Sequence, residues 1–225
     1  MADVDTFLAG GSWPSRAFYQ LARSAVVGFS RLWMRTRVDG ADLVPTEGAF
    51  ILAPVHRSNM DTPVSACVTR RRLRFMGKDT LWKRQPYRWL LSSLGGFPVT
   101  RGSADREALK RCIQVLEAGE PLVLFPEGER KSGPLVQPLY DGAAYVACKA
   151  RCPIVPVGIG GSERVMPKGS RFIYPRRVHV VVGTPIQPPA PSASGRVSRD
   201  AVKRLTEELH EQLQTLFDAA QVRAG

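Results

Sequence analysis

Residues 50–63 read Phe50-Ile51-Leu52-Ala53-Pro54-Val55-His56-Arg57-Ser58-Asn59-Met60-Asp61-Thr62-Pro63. A short apolar run that turns abruptly polar is the pattern of a buried strand. Asp61, Thr62 and Pro63 then read as a helix start, with the proline inside the first turn, where its missing N–H costs nothing. A strand passing through a tight loop into a helix is the unit of an α/β fold. The polar residues between them fall on the loop beyond a strand's end, where such folds keep reactive groups.

Outward from this stretch, residues 73–76, 97–100, 122–125, 154–159 and 178–182 are further short apolar runs and are predicted strands. Between them lie predicted helices. One runs from Ser103, a capping residue, to Ala118, with Gly119 after its end; another covers residues 141–150. Val202, Leu205, Leu209, Leu213 and Leu216 give a last helix its apolar stripe. The alternation predicts an α/β fold: a single domain with a largely parallel mixed sheet flanked by helices, plus an N-terminal amphipathic helical segment. Three regions are expected: 1–37, an amphipathic, membrane-facing helical segment; 38–186, the catalytic core; and 187–225, a Pro-, Ser- and Ala-rich connector and a C-terminal helix packing on the core. No internal repeat is present.

A chain of 225 residues that is 44% hydrophobic can bury one real core. Its net charge of +12 suits anionic partners, which are nucleic acid, an anionic membrane, or phosphorylated substrates. The basic residues are scattered and no zinc-finger or RNP-like signature accompanies them, so nucleic acid is not expected. Residues 18–34 come nearest to a membrane span, but Arg23 and Arg31 interrupt them. The mixture of Phe18, Leu21, Phe29, Leu32 and Trp33 with arginines over residues 15–37 is instead that of a helix lying on an anionic surface, or of a helix packed on the core. Arg70, Arg71, Arg72 and Arg74, followed by Trp82, Arg88 and Trp89, suggest a second basic-aromatic surface. The N-terminus is acidic where a secretory segment would be basic, so Cys67, Cys112, Cys148 and Cys152 are expected as reduced thiols, and no metal set is completed around them.

Three constellations carry chemistry. His56 and Asp61, five apart across a tight loop, have the composition of a general base and the carboxylate that fixes its tautomer. The same two residues would also serve as a loop histidine and a helix-capping aspartate. Phe125-Pro126-Glu127-Gly128-Glu129-Arg130-Lys131 runs from a strand into a glycine turn and a basic pair. Arg130 offers a fork to a phosphate, Lys131 a point charge, and Glu127 a ligand for substrate hydroxyls or for an arginine. A solvated turn with mutually paired charges is the plainer reading. Arg101, after the run 97–100, could join Arg130 around one phosphate or end a strand in solvent. There is no G-x-S-x-G elbow, no Walker phosphate loop, and in Gly158-Ile159-Gly160-Gly161 no complete dinucleotide fingerprint. With no enzyme nucleophile in evidence, His56 would activate a hydroxyl of the substrate itself.

Together, over residues 35–185, these segments resemble the glycerolipid acyltransferase family to which 1-acylglycerol-3-phosphate acyltransferases belong. His56 and Asp61 match the ends of its H-x4-D motif and Arg101 its second-motif arginine. Phe125-Pro126-Glu127-Gly128 with Arg130 matches its F-P-E-G block, and Val155-Pro156-Val157 its fourth, hydrophobic block. Residues 125–167 are similar to actinobacterial members. The resemblance implies an enzyme that needs no cofactor and no metal. It would take acyl-CoA as co-substrate and acylate the free hydroxyl, of sn-2 type, of a lysophospholipid such as 1-acylglycerol-3-phosphate. His56 and Asp61 would be catalytic, and Arg101, Glu127, Gly128, Arg130 and Lys131 would bind phosphate and glycerol. The product would be phosphatidic acid, made for phospholipid biosynthesis by a peripheral protein at the cytoplasmic face of the cell membrane. Glu129 departs from the pattern, which carries a small hydroxyl residue there, so its carboxylate either weakens phosphate binding or pairs with Lys131. Acylation of another lysophospholipid, thioester hydrolysis, and lysolipid binding without turnover remain open, as does the oligomeric state.

Overall fold

The computed structural model describes residues 12–83, 85–99, 105–190 and 197–225. Among them seven strands form one sheet: β1 (Arg37–Asp39), β2 (Ile51–Pro54), β3 (Arg74–Lys78), β4 (Gly96–Val99), β5 (Leu122–Val123), β6 (Ile154–Gly160) and β7 (His179–Val182). Their order is β1-β7-β6-β2-β5-β3-β4. Neighbours pair in parallel except β6 with β7, so β1 and β7 run against the other five. The result is a single α/β domain with a mostly parallel mixed sheet. The apolar run that opens the chain's central stretch is β2, the middle strand, and every residue of β2 and β6 is buried. Strands covered on both faces need such unbroken apolar runs.

The helices are α1 (Trp13–Trp33), α2 (Asp61–Ser65), α3 (Gln85–Ser93), α4 (Asp105–Glu117), α5 (Gly142–Ala150), α6 (Ser162–Val165) and α7 (Arg199–Ala224). α4, α5 and α7 pack in succession, with α7 lying along β6 and β7; α1 packs on α2 and α3. The apolar stripe of α7 seats Val202, Leu205, Leu209 and Leu213 as predicted. Its next turn buries Phe217 rather than Leu216. The contact with β6 is backbone to backbone: a Cβ on Gly158 would lie 2.3 Å from the carbonyl of Leu216, and one on Gly160 the same distance from that of Ala220. These glycines, which fail as a dinucleotide fingerprint, let a helix lie directly on a strand.

β1 was not foreseen, because Arg37-Val38-Asp39 has no apolar run; it exists because β7 offers it a free edge. The predicted capping residue Ser103 falls outside the described residues. α1 is turned inside out. Ser15, Tyr19 and Ser30 are buried, and Arg23 donates to the Thr69 carbonyl at 2.6 Å, while Trp13, Leu21 and Leu32 are 79%, 71% and 85% exposed. No helix of the described residues is long and apolar enough to cross a membrane.

Candidate active site

β2 ends at Pro54, and two residues on the chain turns toward α2. Within that turn Asp61 is fully buried and a single carboxylate oxygen, Oδ2, gathers three donors. The Arg57 amide lies at 2.6 Å, the Ser58 amide at 2.7 Å, and His56 Nδ1 at 3.1 Å. The two amides lock the carboxylate in place, and the carboxylate sets the ring. With an ionised acceptor at Nδ1, that nitrogen carries the proton, and the lone pair is left on Nε2. Nε2 makes no hydrogen bond among the described residues, and the His56 side chain is 16% exposed. Phe125 stacks on the imidazole with ring centroids 4.0 Å apart. The structural role open to Asp61, helix capping, is absent: it is the first residue of α2, and its side chain points back into the loop.

The second motif follows β5, the parallel neighbour of β2, so the sheet delivers both motifs to one edge. Glu127 is fully buried. Its Oε2 accepts the His56 amide at 3.0 Å and its Oε1 the Gln137 amide at 3.0 Å, while Arg57 Nη1 sits 2.8 Å from both oxygens. The arginine's side chain is 2% exposed; Nη2 donates to the Leu135 carbonyl at 3.0 Å, and the guanidinium lies 4.8 Å from the centre of the Phe217 ring. Glu127 therefore orients an arginine and holds the backbone of the histidine. Both of its oxygens are engaged inside the protein.

Gly128 adopts a φ of +72°, and a Cβ there would meet the Tyr140 ring at 2.7 Å, so both turn and packing require glycine. The Lys131 amide closes the loop by donating to the His56 carbonyl at 2.9 Å. Glu129 answers the open question of its role by pairing with Lys131 at 2.8 Å. The ammonium's hydrogen bond holds that carboxyl below its ordinary range, and the carboxylate in turn raises the ammonium. Arg130 is exposed and makes no hydrogen bond or ion pair among the described residues, so its fork is available to an anion. Arg101 lies outside the described residues.

Arg57 is the residue that sequence reasoning passed over. Its type is visible inside the H-x4-D stretch, but nothing local signals that it turns inward to Glu127, 70 positions away. Burial raises all four thiols above their ordinary value, Cys112 and Cys152 to about 12. No group of potential metal ligands occurs among the described residues.

A family model describing acyltransferases matches residues 35–160, more than half of the chain, including His56, Arg57, Asp61 and Glu127. The chain belongs to the acyltransferase family. Among similar proteins, a chloroplast 1-acyl-sn-glycerol-3-phosphate acyltransferase of Brassica napus is 30% identical over 116 residues, covering 50% of this acyltransferase and 34% of the plant protein. The chain thus spans about a third of that relative's length. A 1-acyl-sn-glycerol-3-phosphate acyltransferase of Bacillus subtilis is 22% identical over 199 residues, covering 88% of this chain and 96% of its own. The crystal structure of the 1-acyl-sn-glycerophosphate acyltransferase PlsC from Thermotoga maritima superimposes with a TM-score of 0.72 at 24% identity, over 97% of this chain and 84% of that one. That likeness concerns the fold.

Proposed function

We propose that this acyltransferase moves a fatty acyl group from acyl-CoA to the free, sn-2 hydroxyl of 1-acylglycerol-3-phosphate. Its products are phosphatidic acid, for phospholipid biosynthesis, and free CoA. The observation that carries the reading is the His56–Asp61 pair at 3.1 Å, with Nδ1 engaged and Nε2 without a partner. Nε2 takes the proton of the acceptor hydroxyl as its oxygen attacks the thioester carbon, and the buried Asp61 carboxylate stabilises the imidazolium that forms. The tetrahedral intermediate collapses, the C–S bond breaks, and the imidazolium returns its proton to the departing thiolate. Arg130, with Arg101, holds the acceptor phosphate. No cofactor takes part. The names of the plant and Bacillus relatives support the acceptor.

The inverted face of α1 supports a peripheral position on an anionic membrane, because large apolar side chains exposed on a basic helix suit a bilayer interface; the cytoplasmic side is part of the proposal. The second basic-aromatic surface contributes less than its composition suggested: Arg74 and Trp82 are buried, Arg74 on Glu120.

The test is product formation. Purified protein given palmitoyl-CoA and 1-acylglycerol-3-phosphate should yield phosphatidic acid, and Arg130→Ala should raise the acceptor KM at least about tenfold with a smaller change in kcat. Thiol release that ignores the acceptor would make the protein a thioester hydrolase. Turnover with acyl carrier protein thioesters alone would reassign the donor.

A further inference from the structure

The end of α1 and the segment after α6 form a surface that the reaction does not use. Phe172 and Tyr174 are 58% and 41% exposed and meet edge to face, with centroids 4.8 Å apart. Phe29 and Trp33, on the last turns of α1, are 41% and 43% exposed and stack at 6.3 Å. The two pairs are fastened into one patch, because Trp33 Nε1 donates to the Ile173 carbonyl at 2.9 Å and Arg35 Nη2 to the Pro175 carbonyl at 3.3 Å. The patch is therefore a built feature and not a scatter of exposed rings.

Topology places it beside the base. α1 leads into β1, whose Arg37 lies opposite His179, which lies opposite Gly160 at the end of β6. Residues 161–177 leave from that same end, and β6 is the parallel neighbour of β2, which delivers His56. One hydrogen bond joins the two regions directly, from Ser58 Oγ to the Met166 carbonyl at 3.1 Å.

The two stretches that carry the patch are one-signed. Residues 28–38 contain three Lys/Arg and residues 167–178 contain four, and neither stretch contains an Asp or Glu. Exposed rings among cations suit the headgroup layer of a bilayer, where rings sit at the interface and arginines reach the phosphates. A folded protein would have to present carboxylates in matching positions; an anionic leaflet meets the cations without any such register.

We propose that this patch is the docking face for an anionic bilayer, and that residues 170–176, not α1 alone, seat the protein with the His56 edge toward the lipid. The proposal rests on the lipid-acceptor reading for its purpose, though not for its measurement. The full chain is sedimented with vesicles of equal parts phosphatidylglycerol and phosphatidylcholine. The double variant Phe172→Ser/Tyr174→Ser, checked for unchanged Tm, should bind about tenfold more weakly than the unaltered chain. Arg171→Gln/Arg176→Gln should lose the salt-sensitive part of the binding. The double aromatic variant should also lose transfer to 1-acylglycerol-3-phosphate embedded in vesicles, while transfer to a short-chain, monomeric acceptor stays unchanged. A folded aromatic variant that sediments like the unaltered chain overturns the proposal and leaves the enzyme reading standing. Patch-dependent sedimentation without any acyl transfer supports the docking face and removes the enzyme reading. If the variant instead dissolves a dimer, the patch is a contact between copies and the proposal fails.

Discussion

His56 meets Asp61 at 3.1 Å, and His179 meets Asp39 at 2.7 Å, so the described residues hold two histidine–aspartate pairs of similar length. Their burial runs in opposite directions. In the first, the carboxylate is fully buried and the ring side chain is 16% exposed; in the second, the ring is 9% exposed and the carboxylate 49%. Asp61 is pinned from beneath by two backbone amides and presents a ring to the outside. Asp39 is shared between His179 and Arg223, and so ties β1, β7 and the end of α7 together at the edge of the sheet. The pair itself does not mark a reaction centre. A fixed acid below an open ring is what the proposed reaction needs, because that arrangement leaves a basic nitrogen facing outward.

The largest effects should fall on the first pair. Asp61→Asn removes the charge that the imidazolium requires and should lower acyl transfer by about 10²–10⁴-fold with the fold retained. Asp39→Asn should leave transfer within about twofold, since it touches a clamp remote from the acceptor. Steady-state assays of both variants would break the comparison if the two losses were alike.

Next comes the tie beneath the histidine. Glu127→Ala leaves the buried Arg57 guanidinium without its counter-charge and should cost about 3–5 kcal/mol, or a fall in Tm on the order of 10 °C. Glu129→Ala, two positions along, removes only a solvent-facing partner of Lys131 and should not shift Tm measurably. Thermal melts of the two variants sharpen the distinction between a carboxylate that builds the site and one that decorates it. An unchanged Tm for Glu127→Ala would contradict the buried tie.

Much of this could be read in the amino-acid order. β2 and β6 are unbroken apolar runs, and α7 has a clear stripe, because strands buried on both faces and a helix on a core each impose a local pattern. His56 and Asp61 are five apart, within reach of local reasoning. What stayed hidden depends on distant partners. Arg57 and Arg74 look like surface charges until Glu127 and Glu120 come to them from elsewhere in the chain. β1 has no pattern of its own. Gly158 and Gly160 could not reveal Leu216 and Ala220 of α7, 58 and 60 positions further along, as the reason for their missing side chains.

The smallest effect is a pH dependence in the second pair. His179's hydrogen bond, with Arg223 beside it, holds the Asp39 carboxyl below its ordinary value. A depressed carboxyl contributes stability above its unfolded value of about 4 and loses it as pH falls through the folded one. The Tm gap between the unaltered chain and Asp39→Asn should therefore persist at neutral pH and close in acid below about 4. A gap that widens in acid would show that the clamp does not act through the ionised carboxylate.

The most direct test of His56 as the base is free-thiol release from palmitoyl-CoA, followed with and without 1-acylglycerol-3-phosphate, by the unaltered protein and by folded His56→Ala. The expected result is release that depends on the acceptor and falls at least about 10²-fold in the variant, with phosphatidic acid as the product. Near-normal, acceptor-dependent release by His56→Ala would contradict the assignment of the base.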